Sequence, residues 1–166
     1  MWGIALLVFR EVLEAALIVT VVAAATRGVA RRGVFIGGGI TLGVLGALLV
    51  AAFAGAISNA VSGVGQELFN ASVLFAAVVM IGRHVIWMSS HGREMARQMK
   101  ELGGAVQAGS SSLAMLLAVV ALAVLREGSE IVLFLTGMLA GGATGLLPGL
   151  ALGIAAGTAV GLTLYF

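Results

Sequence analysis

Arg10, Glu11 and Glu14 form one Arg-Glu-x-x-Glu motif, and Arg126, Glu127 and Glu130 form a second. All seven acidic residues of the chain are Glu, and four of them lie in these two motifs. At 3.6 residues per helical turn, the two Glu of each motif (i, i+3) share a face, and the Arg and the second Glu (i, i+4) are neighbours. Two such helices facing each other would gather four carboxylates and two guanidinium groups, a formal excess of two negative charges. A multivalent cation offsets that excess. Ligation by oxygen alone suits a hard ion such as ferric iron, and ferrous iron accepts carboxylates less selectively. The chain has no Cys and its seven Met are scattered, which argues against thiolate sites, disulfides and a Met-lined copper(I) path.

The surroundings of the motifs make these charges expensive. Hydrophobic residues make up 61% of the 166 residues and charged residues only 10%, too little polar surface for a soluble domain of this size. Five apolar spans are predicted, at about 2–26, 34–57, 68–89, 111–140 and 147–166, each near the length that crosses a bilayer. The motifs fall inside the first and fourth spans. A charge at the centre of a membrane helix costs about 2.5–3.5 kcal/mol even on the lower scales, so these faces must look inward or toward water. The fold class expected is an all-α, polytopic transmembrane helix bundle. Arg10, Glu11 and Glu14 interrupt the first span, so it reads as a membrane helix and not as a cleavable signal peptide.

Basic connections alternate with uncharged ones. Arg27, Arg31 and Arg32 follow span one, and Arg93, Arg97 and Lys100 follow span three, whereas the second and fourth connections carry no Lys or Arg. The positive-inside rule places the basic connections in the cytoplasm and the N-terminus outside. The formal charge of +2 therefore reflects membrane orientation, and nucleic acid is not an expected partner. Trp2 and Trp87 fall near span ends, as interfacial Trp does. The 91–107 segment reads as a short cytoplasmic helix with Glu94, Arg97 and Glu101 on a solvated face.

The stretch Ala5–Thr20 aligns with Ala121–Thr136, pairing both motifs residue for residue. The same register pairs Gly33 with Gly149 and Gly37 with Gly153. With three spans in the first unit, the second enters from the opposite side, which is the plan of an inverted-topology repeat. The domain reading is 1–107 for the first repeat with its cytoplasmic loop and 108–166 for two helices of the second. An incomplete second unit leads to the expectation that the chain is part of a protein with at least six spans.

Phe9-Arg-Glu-Val-Leu-Glu14 and Leu125-Arg-Glu-Gly-Ser-Glu130 closely resemble the paired motifs of the oxidase-dependent iron permease family, fungal and bacterial. Gly65-Gln-Glu-Leu-Phe-Asn70 and Trp87-Met-x-x-His91 are similar to its third-helix region, although Asn70 stands where a second Glu is expected. The resemblance implies iron import across a bacterial inner (plasma) membrane. It implies iron as transported substrate, with no permanently bound cofactor, and Glu11, Glu14, Glu127 and Glu130 as ligands. It further implies an iron-oxidising partner protein; homo-oligomerisation stays open. Two other readings remain: a non-transporting membrane subunit whose Arg–Glu pairs are structural, and a permease for another divalent ion such as manganese.

Secondary candidates surround the motifs. Arg10 and Arg126 are expected to hold the carboxylates apart. Glu67 and Asn70 are candidates for entry at the outer end of span three, with a solvated helix-end role as the alternative for Glu67. Arg83 and His84 are placed at its cytoplasmic end within snorkelling reach of the interface, with His84 a candidate exit ligand and His91 solvated in the loop. Ser129, Thr136 and Thr20 are expected to back-bond to their own helices. Gly128 would admit close helix approach, and Pro148 would sit at the start of span five, where its missing N–H costs little.

Overall fold

Long runs of Ala, Leu and Val with one Pro favour helices, and the chain folds into them despite its 25 Gly. The computed structural model describes residues 1–61, 64–109 and 111–165, without the side chains of 64, 84, 85, 87–93, 95, 96 and 165. Five helices follow in order: α1 Trp2–Ala25, α2 Arg32–Ala60, α3 Val64–Gln107, α4 Leu113–Ala140 and α5 Leu146–Tyr165. The described residues contain no strand. The helices α2 and α5, and α3 over Gly65–Arg83, are long and apolar enough to cross a membrane. The 24 residues of α1 and 28 of α4 also exceed the reach of a bilayer's hydrocarbon core of about 30 Å. They differ from the others in carrying the motif charges.

Polarity is distributed inside out. Glu11 is wholly buried and Glu127 and Glu130 are nearly so, whereas Phe53, Leu68 and Phe75 are exposed by 68–73%. A water-soluble bundle would reverse this, since charged side chains are almost never fully buried. An all-α integral membrane protein accounts for it: helices satisfy their own backbone polar groups, and lipid accepts the apolar exterior.

The most extensive helix pairings run across the chain. α1 packs on α5 and α2 packs on α4, while α1 and α2, adjacent in sequence, make little contact. Small residues permit each close approach. Along α5, a Cβ placed on Gly149 would come within 2.9 Å of Ile4, and one on Gly153 within 2.6 Å of Val8. Gly157 and Gly161 continue the row against Val12 and Ala16, so α1 and α5 run parallel. On α2, Gly39 meets Val120 and Gly43 meets Val124, and Ala47 then meets Gly128 on α4, so this pair is parallel too. Val22 clusters with Leu116 and Val120, while Glu11 and Glu14 meet Glu127, which makes α1 and α4 antiparallel.

These contacts correct the glycine register. Gly33 and Gly37 have open space beside them, and the residues placed like Gly149 and Gly153 are Gly39 and Gly43. The motif helices align as the sequence does, because Ile4 and Val8 match Val120 and Val124. Close approach of the partner helix is what makes the glycine necessary at these positions.

Helix α3 is also longer than span three and its adjoining loop suggest. Its 44 residues form one helix from Val64 to Gln107. Arg97 pairs with Glu94 at 2.8 Å and with Glu101 at 3.5 Å, at spacings that support a solvated helix and carry it past the membrane span. Gln107 donates to the carbonyl of Arg27 at 3.2 Å, so the first and third connections share one end of the bundle. At the other end the Met1 ammonium group donates to the carbonyl of Thr144 at 3.3 Å, beside the fourth connection. This grouping matches the alternation of basic and uncharged connections.

Helix ends are secured locally. Ser112 caps α4, its hydroxyl accepting from the Met115 amide at 3.2 Å. Arg32 donates to the carbonyl of Ala23 at 2.6 Å, placing a cation at the negative end of α1. Pro148 lies in the first turn of α5, where its missing N–H leaves no intrahelical bond unmade.

The glycine register is open to a direct check by thermal unfolding in detergent. Gly43→Ala and Gly153→Ala force helix separation and should each lower stability by about 1–3 kcal/mol. Gly33→Ala and Gly37→Ala should leave it unchanged or raise it by up to about 1 kcal/mol through helix propensity.

Candidate metal centre

Antiparallel packing of α1 and α4 sets the two motifs opposite each other at the same depth. One carboxylate oxygen each from Glu11, Glu14 and Glu127 lies within 4.8 Å of the others. Glu11 and Glu127 project from the buried faces of α1 and α4, and Glu14 follows Glu11 by one turn on the same face. Glu130 is as buried as Glu127 but stands outside this cluster of three, held by Arg126.

Each arginine spans its own motif. Arg10 Nη2 is 2.8 Å from Glu11 Oε1, and Arg10 Nε is 3.3 Å from Glu14 Oε1. On α4, Arg126 Nε is 3.8 Å from Glu127 Oε1 and 3.3 Å from Glu130 Oε1. Both arginines are about one-third exposed, so the cations sit at the rim and the carboxylates within. The pairing is incomplete. Neither Glu11 oxygen, nor Oε2 of Glu127, accepts a hydrogen bond among the described residues. A buried carboxylate left so costs several kcal/mol unless a cation or a proton meets it. Three converging oxygens with spare lone pairs match the ligand chemistry of a hard metal ion.

Among the described residues, three cavities lie in or beside this region. The largest, about 750 Å³, lies among α1, α2, α4 and α5, and its polar contributors are Glu127, Thr20 and Thr158 within an otherwise apolar wall. A second, about 450 Å³, lies at the turn between α2 and α3 and is lined by Ser58, Gln66, Asn70 and Thr136. A third, about 520 Å³, lies between α3 and α4 and holds Arg83, Arg126, Ser129 and Glu130. The second and third share Ala54, Val132 and Thr136, so polar groups run from the α2–α3 turn to Glu130.

The secondary candidates separate. Asn70 lines the second cavity, 2.9 Å from the Gln66 amide, whereas Glu67 lies on the exposed surface. The side chains of His84, Trp87 and His91 lie outside the described residues. Arg83 is exposed and closes the apolar stretch Gly65–Arg83, as its place at the end of span three suggests, and it lines the cavity that also holds Arg126, Ser129 and Glu130 of α4. The hydroxyls of Ser129 and Thr136 donate to the carbonyls of Leu125 and Val132 as expected. Thr20 instead lines the large cavity. Gly128 meets Ala47 and admits the close approach of α2. Sequence reasoning passed over Gln66, whose spacing of four from Asn70 would have put both amides on one helix face.

The chain matches the iron permease FTR1 family over residues 1–166. It is similar to the ferrous iron permease EfeU of Escherichia coli O6:H1, 38% identical over 136 residues, which cover 78% of this chain and 48% of that relative. The ferrous iron permease EfeU of Shigella sonnei is 36% identical over 135 residues, with the same shares covered. The chain thus spans about half the length of the curated relatives it matches. No solved structure matches it. With a match over its whole length and both motifs inside it, the chain belongs to the iron permease FTR1 family.

Proposed function

We propose that this chain carries the ion-binding part of an iron permease, and that iron passes through the carboxylate cluster between α1 and α4. The observation that supports this most is the meeting of Glu11, Glu14 and Glu127 oxygens within 4.8 Å in a buried site. Glu130 serves as the fourth ligand, reached when it exchanges Arg126 for the ion. Arg10 and Arg126 keep the carboxylates separated and limit affinity, so that the ion is released. The reading of α1–α3 and α4–α5 as inverted repeats is favoured by the reciprocal pairing of α1 with α5 and α4 with α2.

Iron enters from the side of the second cavity, where Ser58, Gln66 and Asn70 offer neutral oxygens to a hydrated ion. With the basic connections in the cytoplasm, that side is the outer face and the N-terminus is outside. A bacterial inner membrane and an iron-oxidising partner complete the reading by similarity to the family. The structural-subunit alternative is weaker, because an Arg–Glu pair kept for packing alone has no use for a second buried Glu in each motif.

Labelled-iron uptake in cells tests the proposal. Glu14→Gln and Glu130→Gln, assembled in the membrane at native levels, should each reduce uptake by about tenfold or more. Undiminished uptake in both variants would exclude the cluster as the path. Excess manganese or zinc should leave iron uptake largely intact; complete competition by manganese would identify a broader divalent-metal permease.

Binding has its own signature. Ferrous iron at about 100 times its Kd should stabilise the detergent-solubilised protein by about 2.7 kcal/mol. Glu11→Gln should abolish that gain. The same change should raise the unfolding temperature of the metal-free protein, because it relieves the crowding of like charges while Arg10 keeps its pair with Glu14.

A further inference from the structure

Arg83 is a cation in a membrane-spanning segment, and the two motifs do not account for it. It makes no ion pair or hydrogen bond with the described residues, whereas Arg10 and Arg126 both lie against carboxylates. Arg83 is exposed and is the last residue of that apolar segment, within snorkelling reach of water. It lines the cavity between α3 and α4 together with Arg126, Ser129 and Glu130. The anionic group in that cavity's wall is Glu130, the motif carboxylate outside the cluster of three.

We propose that Arg83 is a positioning residue that competes with the transported cation for Glu130 and so sets how readily the ion leaves. The two motifs alone carry four carboxylates and two arginines, a net charge of −2. A divalent ion neutralises that set. With Arg83 the empty set carries −1 and the occupied set +1, so the same ion is held less tightly and leaves faster. A guanidinium is always charged and matches a carboxylate in shape, so it can replace a departing ion on Glu130 without a proton transfer. Arg126, which spans Glu127 and Glu130 in the empty site, gives way to the ion, and Arg83 adds a second guanidinium on the Glu130 side. Arg83 does not ligate iron and touches the reaction only through Glu130.

This inference rests on the proposed permease function, and iron uptake with Glu130→Gln measured in parallel separates the two. Arg83→Gln and Arg83→Met remove the charge, the latter keeping much of the apolar stem. In protein assembled at native levels, both should lower KM for iron by about tenfold, the size expected for removing one nearby like charge, and should lower kcat as release slows. Arg83→Lys should restore both toward native values. A purely structural arginine would not tighten binding when removed. Native KM and kcat in both neutral variants, a raised KM, or lost uptake with KM unchanged would overturn the role of Arg83. Failure of either neutral variant to assemble leaves the other decisive. If both fail while Arg83→Lys assembles, Arg83 is needed for folding and the release role is overturned. If Glu130→Gln transports normally, the permease reading fails first.

Discussion

Carboxylates crowded together at the centre of an apolar bundle set the terms for the rest of this structure. Glu11, Glu14 and Glu127 converge, and Glu11 is wholly buried without a hydrogen bond to either oxygen. In lipid no such group could persist, and in water it would not need to be enclosed. The bundle therefore places the motif faces against each other and puts the arginines at the rim, where part of each guanidinium reaches a cavity or the surface. The local cost resembles that of many functional sites, where a group is held ready for a ligand at the expense of stability.

Close helix packing is what allows this. The rows Gly149, Gly153, Gly157 and Gly161 on α5, and Gly39, Gly43 and Ala47 on α2, receive side chains from α1 and α4. Where α5 offers Gly157 to Val12, α2 offers Ala47 to Gly128, so the small residue changes sides but the approach is kept. Association inside a membrane draws on such contact more than on the hydrophobic effect. The outward faces of the same helices remain apolar and are left to lipid. Pairing across the chain also means that neither motif helix is supported mainly by its neighbour in sequence.

Cavity chemistry extends the site beyond the motifs. The void among α1, α2, α4 and α5 is broad but apolar, with Glu127 as its charged contributor. The pair of smaller voids along α3 and α4 is lined by amides, hydroxyls, Arg83 and Glu130. A hydrated ion finds oxygen partners along the second route and few along the first. The two carboxylates of the α4 motif thus open on different surroundings although they lie one turn apart.

Much of this was legible in residue type and spacing. Helical class, membrane insertion and the inward direction of both motifs follow from composition, period and the scarcity of charge, because an ionised group in lipid has very few stable solutions. The family follows from the resemblance of the two motifs. The glycine register did not follow, since glycines recur every three or four residues in several frames and the true one depends on which partner helix arrives. Nor did the cavity that Arg83 shares with Glu130, which turned on how α3 packs on α4, or the separation of Glu130 from the other three carboxylates. Sequence spacing says which side chains share a helix face. Which faces meet, at what height and around what void, is set by packing between helices far apart in the chain.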